Sequence, residues 1–207
     1  MPSCSYCPTD CTQQLVKADF LENCSNPLEG GIDILVIAPL DDADDVTPLT
    51  PANRGTLSTW TSNIISTGDD SATWNIVTVY GSYTSAQNEL VTKGKHCSYS
   101  KLGTHNLTLR VCNARSLNND KPKSYELLRK LQCGSKVRIW FGNAGIAFGG
   151  ETNFEDGIEA NVVNAGVETG DTADDAVTEF VLSFGWKGCL PTMIQNAVFA
   201  PLIPDAV

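Results

Sequence analysis

Between residues 177 and 187, Phe180, Leu182, Phe184 and Trp186 alternate with Glu179, Val181, Ser183 and Gly185. A period of two sends successive side chains to opposite faces of an extended chain, so this run predicts a strand with one face made for burial. The period recurs in residues 105–112, where Leu107, Leu109 and Val111 alternate with Asn106, Thr108 and Arg110. It recurs again in residues 136–141, where Val137, Ile139 and Phe141 share a face. Residues 32–38 and 74–80 are β-branched runs of strand type, and residues 158–163 read as a further strand. Regular long helices do not separate these segments, which argues against a parallel α/β sheet. The expected fold is mainly β: an antiparallel β-sandwich or half-barrel with one or two short flanking helices.

One flanking helix is predicted over residues 124–132. Ser124 is a candidate N-cap, Leu127, Leu128 and Leu131 form one apolar stripe, and Gly134 stands where a left-handed residue is wanted. A helix of roughly two to three turns is not stable alone and must lie on the sheet. Residues 85–93 read as a second short helix closed by Gly94, and residues 56–65 fit either a strand or irregular structure. Residues 142–145 predict a turn into a strand at 146–148, and residues 166–175 a polar loop. The chain divides into a Cys-rich arm (1–31), a β domain (32–190) and an extended C-terminal arm (191–207). The three prolines of that last segment suit an edge better than a central strand.

Hydrophobic residues make up 42% of the chain and charged residues only 18%, so much of the surface must be Asn, Thr, Ser and Gly. The net charge of −10 disfavours a whole-surface attraction to nucleic acid or to anionic lipid. No apolar run approaches the roughly 20 residues of a membrane span, and a basic-then-apolar leader is missing. The expectation is therefore no membrane, and folding in a reducing cytoplasm. Eight cysteines sit awkwardly with it. Cys112, Cys133 and Cys189 adjoin predicted strands or the helix end and read as buried thiols. Cys4, Cys7, Cys11 and Cys24 could offer thiolates to zinc, but their spacing is not that of a ribbon or finger, so no metal is expected.

Catalytic constellations are sparse. His96 adjoins Cys97, but neighbours on a strand point to opposite faces, so adjacency does not make a nucleophile and its base. The glycines of residues 142–150 miss the dinucleotide-binding spacing and fit a hairpin turn and a softened strand. Asp41, Asp42, Asp44 and Asp45 lack the glycine and the distal Glu of a calcium loop and read as a solvated acidic loop. Glu151, Glu155 and Glu159 supply carboxylates for a glycosidase pair, though nothing singles them out. The expectation is a protein that is not an enzyme and holds no cofactor.

Charge order is the informative feature. Residues 93–138 hold 11 Lys/Arg and 2 Asp/Glu, whereas residues 139–186 hold 9 Asp/Glu and no basic residue. In one reading these blocks are ordinary solvated faces. In the other, the chain is a polar subunit whose basic part (Arg115, Lys121, Lys123) meets an acidic part (Asp171, Asp174, Asp175) of the next copy. Such a head-to-tail contact is heterologous, and it builds rings or open stacks rather than two-fold dimers.

An alternating strand (107–111), a short helix (124–132), a strand–turn–strand unit (136–149), an acidic loop region and a closing strand ending at Trp186 follow one another in order. In this order, about residues 105–200 resemble the tail tube proteins of tailed bacteriophages. The resemblance implies a β-sandwich or half-barrel protomer with a flanking helix. It also implies a homo-oligomer, a hexameric ring whose inner β-barrel encloses a channel for DNA, with rings stacking into a tube among other virion proteins. Such a subunit is made in the host cytoplasm, resides in the virion and brings no catalytic residues. An acidic conduit repels a phosphate backbone and lets it slide. The first 24 residues and the C-terminal arm fall outside the pattern, which a head decoration or connector protein would share. The alternative from another class is a β-sandwich glycan-binding adhesin, with Trp60, Trp74, Tyr80 and Tyr83 stacking on sugar.

Overall fold

The computed structural model describes residues 31–40, 47–63, 74–87, 89–93, 97–111, 121–133, 136–143, 145–169 and 178–195. Five consecutive apolar residues form strand β1 (Ile34–Ala38), which is buried on both faces. After it come helix α1 (Leu57–Asn63) and strands β2 (Asn75–Thr78), β3 (Tyr80–Thr84), β4 (Glu89–Lys93), β5 (Cys97–Lys101) and β6 (His105–Val111). Helix α2 (Lys121–Gln132) leads to β7 (Lys136–Gly142), β8 (Ile146–Phe148), β9 (Ile158–Thr169), β10 (Thr178–Trp186) and β11 (Met193–Gln195). The fold is mainly β, antiparallel throughout its pairings, with two short helices.

The pairings close on themselves. β7 lies between β1, where Val36 opposes Trp140, and β9, where Val137 opposes Ala160. β9 pairs with β10, β10 with β6, and β6 with β3. β3 continues β2 across Val79, and β2 returns to β1, with Leu35 opposite Val77. The circuit is a closed antiparallel barrel in which β2 and β3 share one strand position. Closure removes most of the exposed edges that an open sheet would offer.

Alternation then sorts the side chains. Leu35, Leu109, Ile139, Leu182, Phe184 and Trp186 belong to one buried cluster inside the barrel. A barrel this narrow is filled by side chains and has no lumen. On β9 the register slips by one residue: Ser183 opposes Asn164 while Phe184 opposes Val162. The extra residue, Val163, is 67% exposed, and the bulge keeps Val162 and Ala165 in contact with the interior.

A second apolar layer lies outside. Ile34, Val36 and Ala38 of β1 and Trp140 of β7 form a cluster with Trp60, Trp74, Ala147 and Phe154. The rings of Trp60 and Trp140 meet edge to face at 5.8 Å, and Trp74 stacks on Trp140 at 4.7 Å. Each indole N–H that this layer buries needs an acceptor: Trp60 Nε1 donates to the Arg54 carbonyl at 2.7 Å, and Trp140 Nε1 to the Phe154 carbonyl at 2.8 Å. Buried Asn63 is held by Thr47, donating to its carbonyl and accepting from its N–H. Residues 57–63 are thus a helix pinned at Trp60 and Asn63, where the sequence alone left strand and irregular structure open.

Three further expectations change. Residues 85–93 are not a helix: Glu89–Lys93 is a strand paired with Cys97–Lys101. The expected polar loop from 166 is strand as far as Thr169, because β10 pairs along that length and Thr178 opposes Thr169. Helix α2 starts at Lys121, so Ser124 lies in its first turn and not at its cap. Pro122 is tolerated there, since its missing N–H would have had no partner in a first turn. Leu128 and Leu131 do enter the interior cluster, with Leu127 packed against it.

Chain direction names the two ends of the barrel. β3, β7 and β10 finish at the end where β1, β6 and β9 begin, here called the upper end. α2 connects the lower ends of β6 and β7.

Candidate assembly surface

The β4–β5 hairpin leaves the upper end between Thr84 and His105. Glu89 is registered with Lys101, Val91 with Tyr99 and Lys93 with Cys97. Among the described residues these two strands pair only with each other. A lone two-stranded hairpin is marginal in water, so its persistence depends on its root or on a further contact. At the root the legs touch: a side chain on Gly103 would run into the carbonyl of Gln87. A shallow cavity of about 150 Å³ opens there, lined by Gln87, Glu89, Lys101, Leu102, Thr104 and Lys187.

His105 holds this root. It is in phase with Leu107 and Leu109 on β6 and only 2% exposed, so its polar atoms need partners inside the protein. Ala86 N–H donates to its Nδ1 at 3.1 Å, and the Tyr83 hydroxyl lies 2.8 Å from the same atom. Its Nε2 lies 3.2 Å from the Gly188 carbonyl. A backbone N–H can only donate and a carbonyl can only accept, which assigns the neutral Nε2–H tautomer. The ring stacks on Trp186 at 5.2 Å and on Tyr83 at 6.0 Å. Burial in this stack pushes the Tyr83 phenol up to about 12, so it remains an O–H group. The sequence reading passed over His105; a polar residue in phase with an apolar face was the available signal.

At the other side of the sheet, β11 pairs with β8 and forms the outer strand, as the prolines nearby suggested. Met193 on it is 45% exposed and Leu190 before it 66%.

The charge blocks meet within one copy. Arg110 Nη1 lies 2.9 Å from Glu168 Oε2, and Lys136 pairs with Glu159. Both pairs are half exposed, and such pairs are worth only about 0–1 kcal/mol each. They show opposite blocks meeting within one copy, between the neighbours β7 and β9 and, across β10, between β6 and β9. Of the residues named for an intermolecular contact, Lys121 and Lys123 fall in the first turn of α2 at the lower end. Arg115, Asp171, Asp174 and Asp175 lie outside the described residues. The basic segment of the opposite end is the hairpin, with Lys93 and Lys101.

Other candidates disperse. Glu155 pairs with Arg54 at 2.7 Å, Glu159 with Lys136, and the Glu151 carboxylate packs against Gly188. Trp60 and Trp74 are buried in the outer cluster and offer no face to a sugar; Tyr83 is partly buried with its ring stacked on Trp186, and Tyr80 is 40% exposed. Cys133 is an exposed thiol and not a buried one, because it follows α2 on the side away from its leucine stripe. Cys189 is half of a disulfide. Cys112, His96, the four N-terminal cysteines and the aspartates at 41–45 lie outside the described residues. Among the described residues no helix is long and apolar enough to cross a membrane, and no group of three His, Cys, Asp or Glu could hold a metal ion. Comparison with protein-family models, curated proteins and solved structures gives no match to this chain.

Proposed function

We propose that the chain is a self-assembling virion structural protein, a tail tube subunit whose hexameric rings stack around a channel for DNA. The observation that carries this reading is the β4–β5 hairpin, two strands with no other pairing among the described residues, raised on a barrel that is otherwise closed. Open strand edges are templates for pairing with another chain, and proteins that stay single blunt or cover them. The unlike ends of the barrel, hairpin above and helix below, favour head-to-tail association, the geometry of rings and stacks. β6, α2, the β7–β8 unit and β10 follow the order on which the resemblance to tail tube proteins rests. The net charge of −10 suits a conduit that must not grip a phosphate backbone. The Cys189 disulfide fits a protein that leaves the reducing cytoplasm, and virion surfaces are among the places where disulfides persist.

Negative-stain microscopy and light scattering of the purified chain, over a wide concentration range at low salt, test the reading. Rings or tubes are expected. A monomer at every concentration would overturn it.

A further inference from the structure

We propose that His105 is an acid-sensitive latch that holds the root of the β4–β5 hairpin to the segment following β10, and that its protonation releases that root. The inference rests on the hydrogen bonds around one ring and does not depend on the assembly reading.

The geometry leaves one protonation state that satisfies every group. Nδ1 must carry a lone pair for the Ala86 N–H, and Nε2 must carry the proton for the Gly188 carbonyl. An imidazolium has N–H on both sides, so its Nδ1–H would face the Ala86 N–H at 3.1 Å. The Tyr83 hydroxyl, 2.8 Å away, can rotate and accept the new proton, but the Ala86 amide has no such freedom. Protonation therefore costs the bond at Ala86 and leaves the others in place. Ala86 is three residues from the start of β4, and hydrogen bonds from this side chain hold the approach to the hairpin.

Among the described residues, none supplies a counter-charge in contact with the ring. β3 contributes the Tyr83 phenol, β7 and β8 contribute Phe141 and Phe148 around that phenol's ring, and β10 contributes Trp186. Beyond Gly188 stands the Glu151 carboxylate, packed on the glycine. Glu89, Lys101 and Lys187 line the cavity at the hairpin root. Burying a cation against a backbone N–H that has lost its acceptor is costly, and displacing residues 86 and 87 toward solvent is the available relief.

Hydrogen exchange of the full chain at pH 7.5 and pH 5, expressed as protection factors so that intrinsic rates cancel, reads the latch directly. We expect protection in residues 86–101 to fall at least about tenfold on acidification while β7 and β10 keep theirs. In His105→Gln, a neutral side chain, hairpin protection should not change between the two pH values. Equal protection of the wild-type hairpin at both pH values would overturn the proposal, as would the same acid loss in His105→Gln. Imidazole nitrogen-15 spectra of the wild type provide a readout independent of whether the variant folds. There are only two histidines, and the buried one should show the Nε2–H tautomer at pH 7.5 and become imidazolium as hairpin protection is lost. The Nδ1–H tautomer, or conversion without loss of protection, would also overturn it.

Discussion

The barrel and the β4–β5 hairpin are built from the same kind of antiparallel pair, yet they differ in what stands behind them. The barrel strands β1, β6, β7, β9 and β10 each have a neighbour on both sides and side chains packed into a shared interior, as with Phe184 and Ile139 at 1% and 0% exposure. The hairpin has one pair of strands and a root held by Ala86 and by the contact of Gly103 with Gln87. Stability comes from buried apolar area, so it concentrates where two layers meet, and two strands alone bury little. The difference teaches that the hairpin contributes little to holding the barrel together.

The strongest way to break the comparison is at the interior. Phe184→Ala should cost about 3–5 kcal/mol in thermal or denaturant unfolding, because it leaves a cavity between β6 and β9. Ser183→Ala, one residue away on the outer face, should cost less than about 0.5 kcal/mol. Equal costs would mean that the two faces of β10 are wrongly assigned.

Next in size is Gly157→Ala. Gly157 follows the Phe154–Asp156 turn with φ +67°, and a methyl there would press on Arg138 and Trp140. A loss of about 1–3 kcal/mol is expected, from backbone strain and displacement of the outer tryptophan layer. Unchanged unfolding together with unchanged tryptophan fluorescence would contradict this.

Tyr83→Phe sits at the junction of barrel and hairpin. Removing the hydroxyl from His105 Nδ1 leaves that atom to Ala86, so a loss of about 0.5–1.5 kcal/mol at neutral pH is expected. Burial raises the phenol from 10.0 to about 12. The neutral form is the one the folded state favours, so its contribution is whole below pH 10 and is lost as pH rises toward about 12. The alkaline fall in melting temperature should therefore be shallower in Tyr83→Phe than in the wild type.

The smallest stability effect belongs to the hairpin itself. Since Gly103 touches Gln87, residues 88–102 can be replaced by an Asn-Gly turn that joins the two legs. The barrel should lose no more than about 0.5 kcal/mol, measured on the monomer, while rings or tubes fail to form in microscopy. Normal assembly without the hairpin would detach the proposed function from this element, and a collapsed barrel would erase the contrast between the two regions.

The strands with a clean period of two were legible from the chain alone: Leu107 and Leu109, Val137 and Ile139, and Leu182 and Phe184 all face the interior that their spacing implied. The turn at residues 142–145 was legible too, and Asn143 explains it by accepting from the Gly145 and Ile146 amides at 2.8 Å each. Periodicity carries this information because it depends only on neighbours along the backbone. Residues 57–63 have no apolar stripe, so their helix is fixed by Trp60 docking on Trp140, a ring 80 positions away that no local pattern could report. Residues 89–93 could serve as helix or strand until Cys97–Lys101 came back beside them. Likewise, the sequence by itself determined which side chains share a face, the excess of negative charge and the succession of charge blocks. Only the tertiary structure decided that the sheet closes, that Arg110 meets Glu168 within one copy, and that His105 ties the hairpin to Gly188. These are contacts between distant segments, and their free energy exists only once the barrel has brought the partners together.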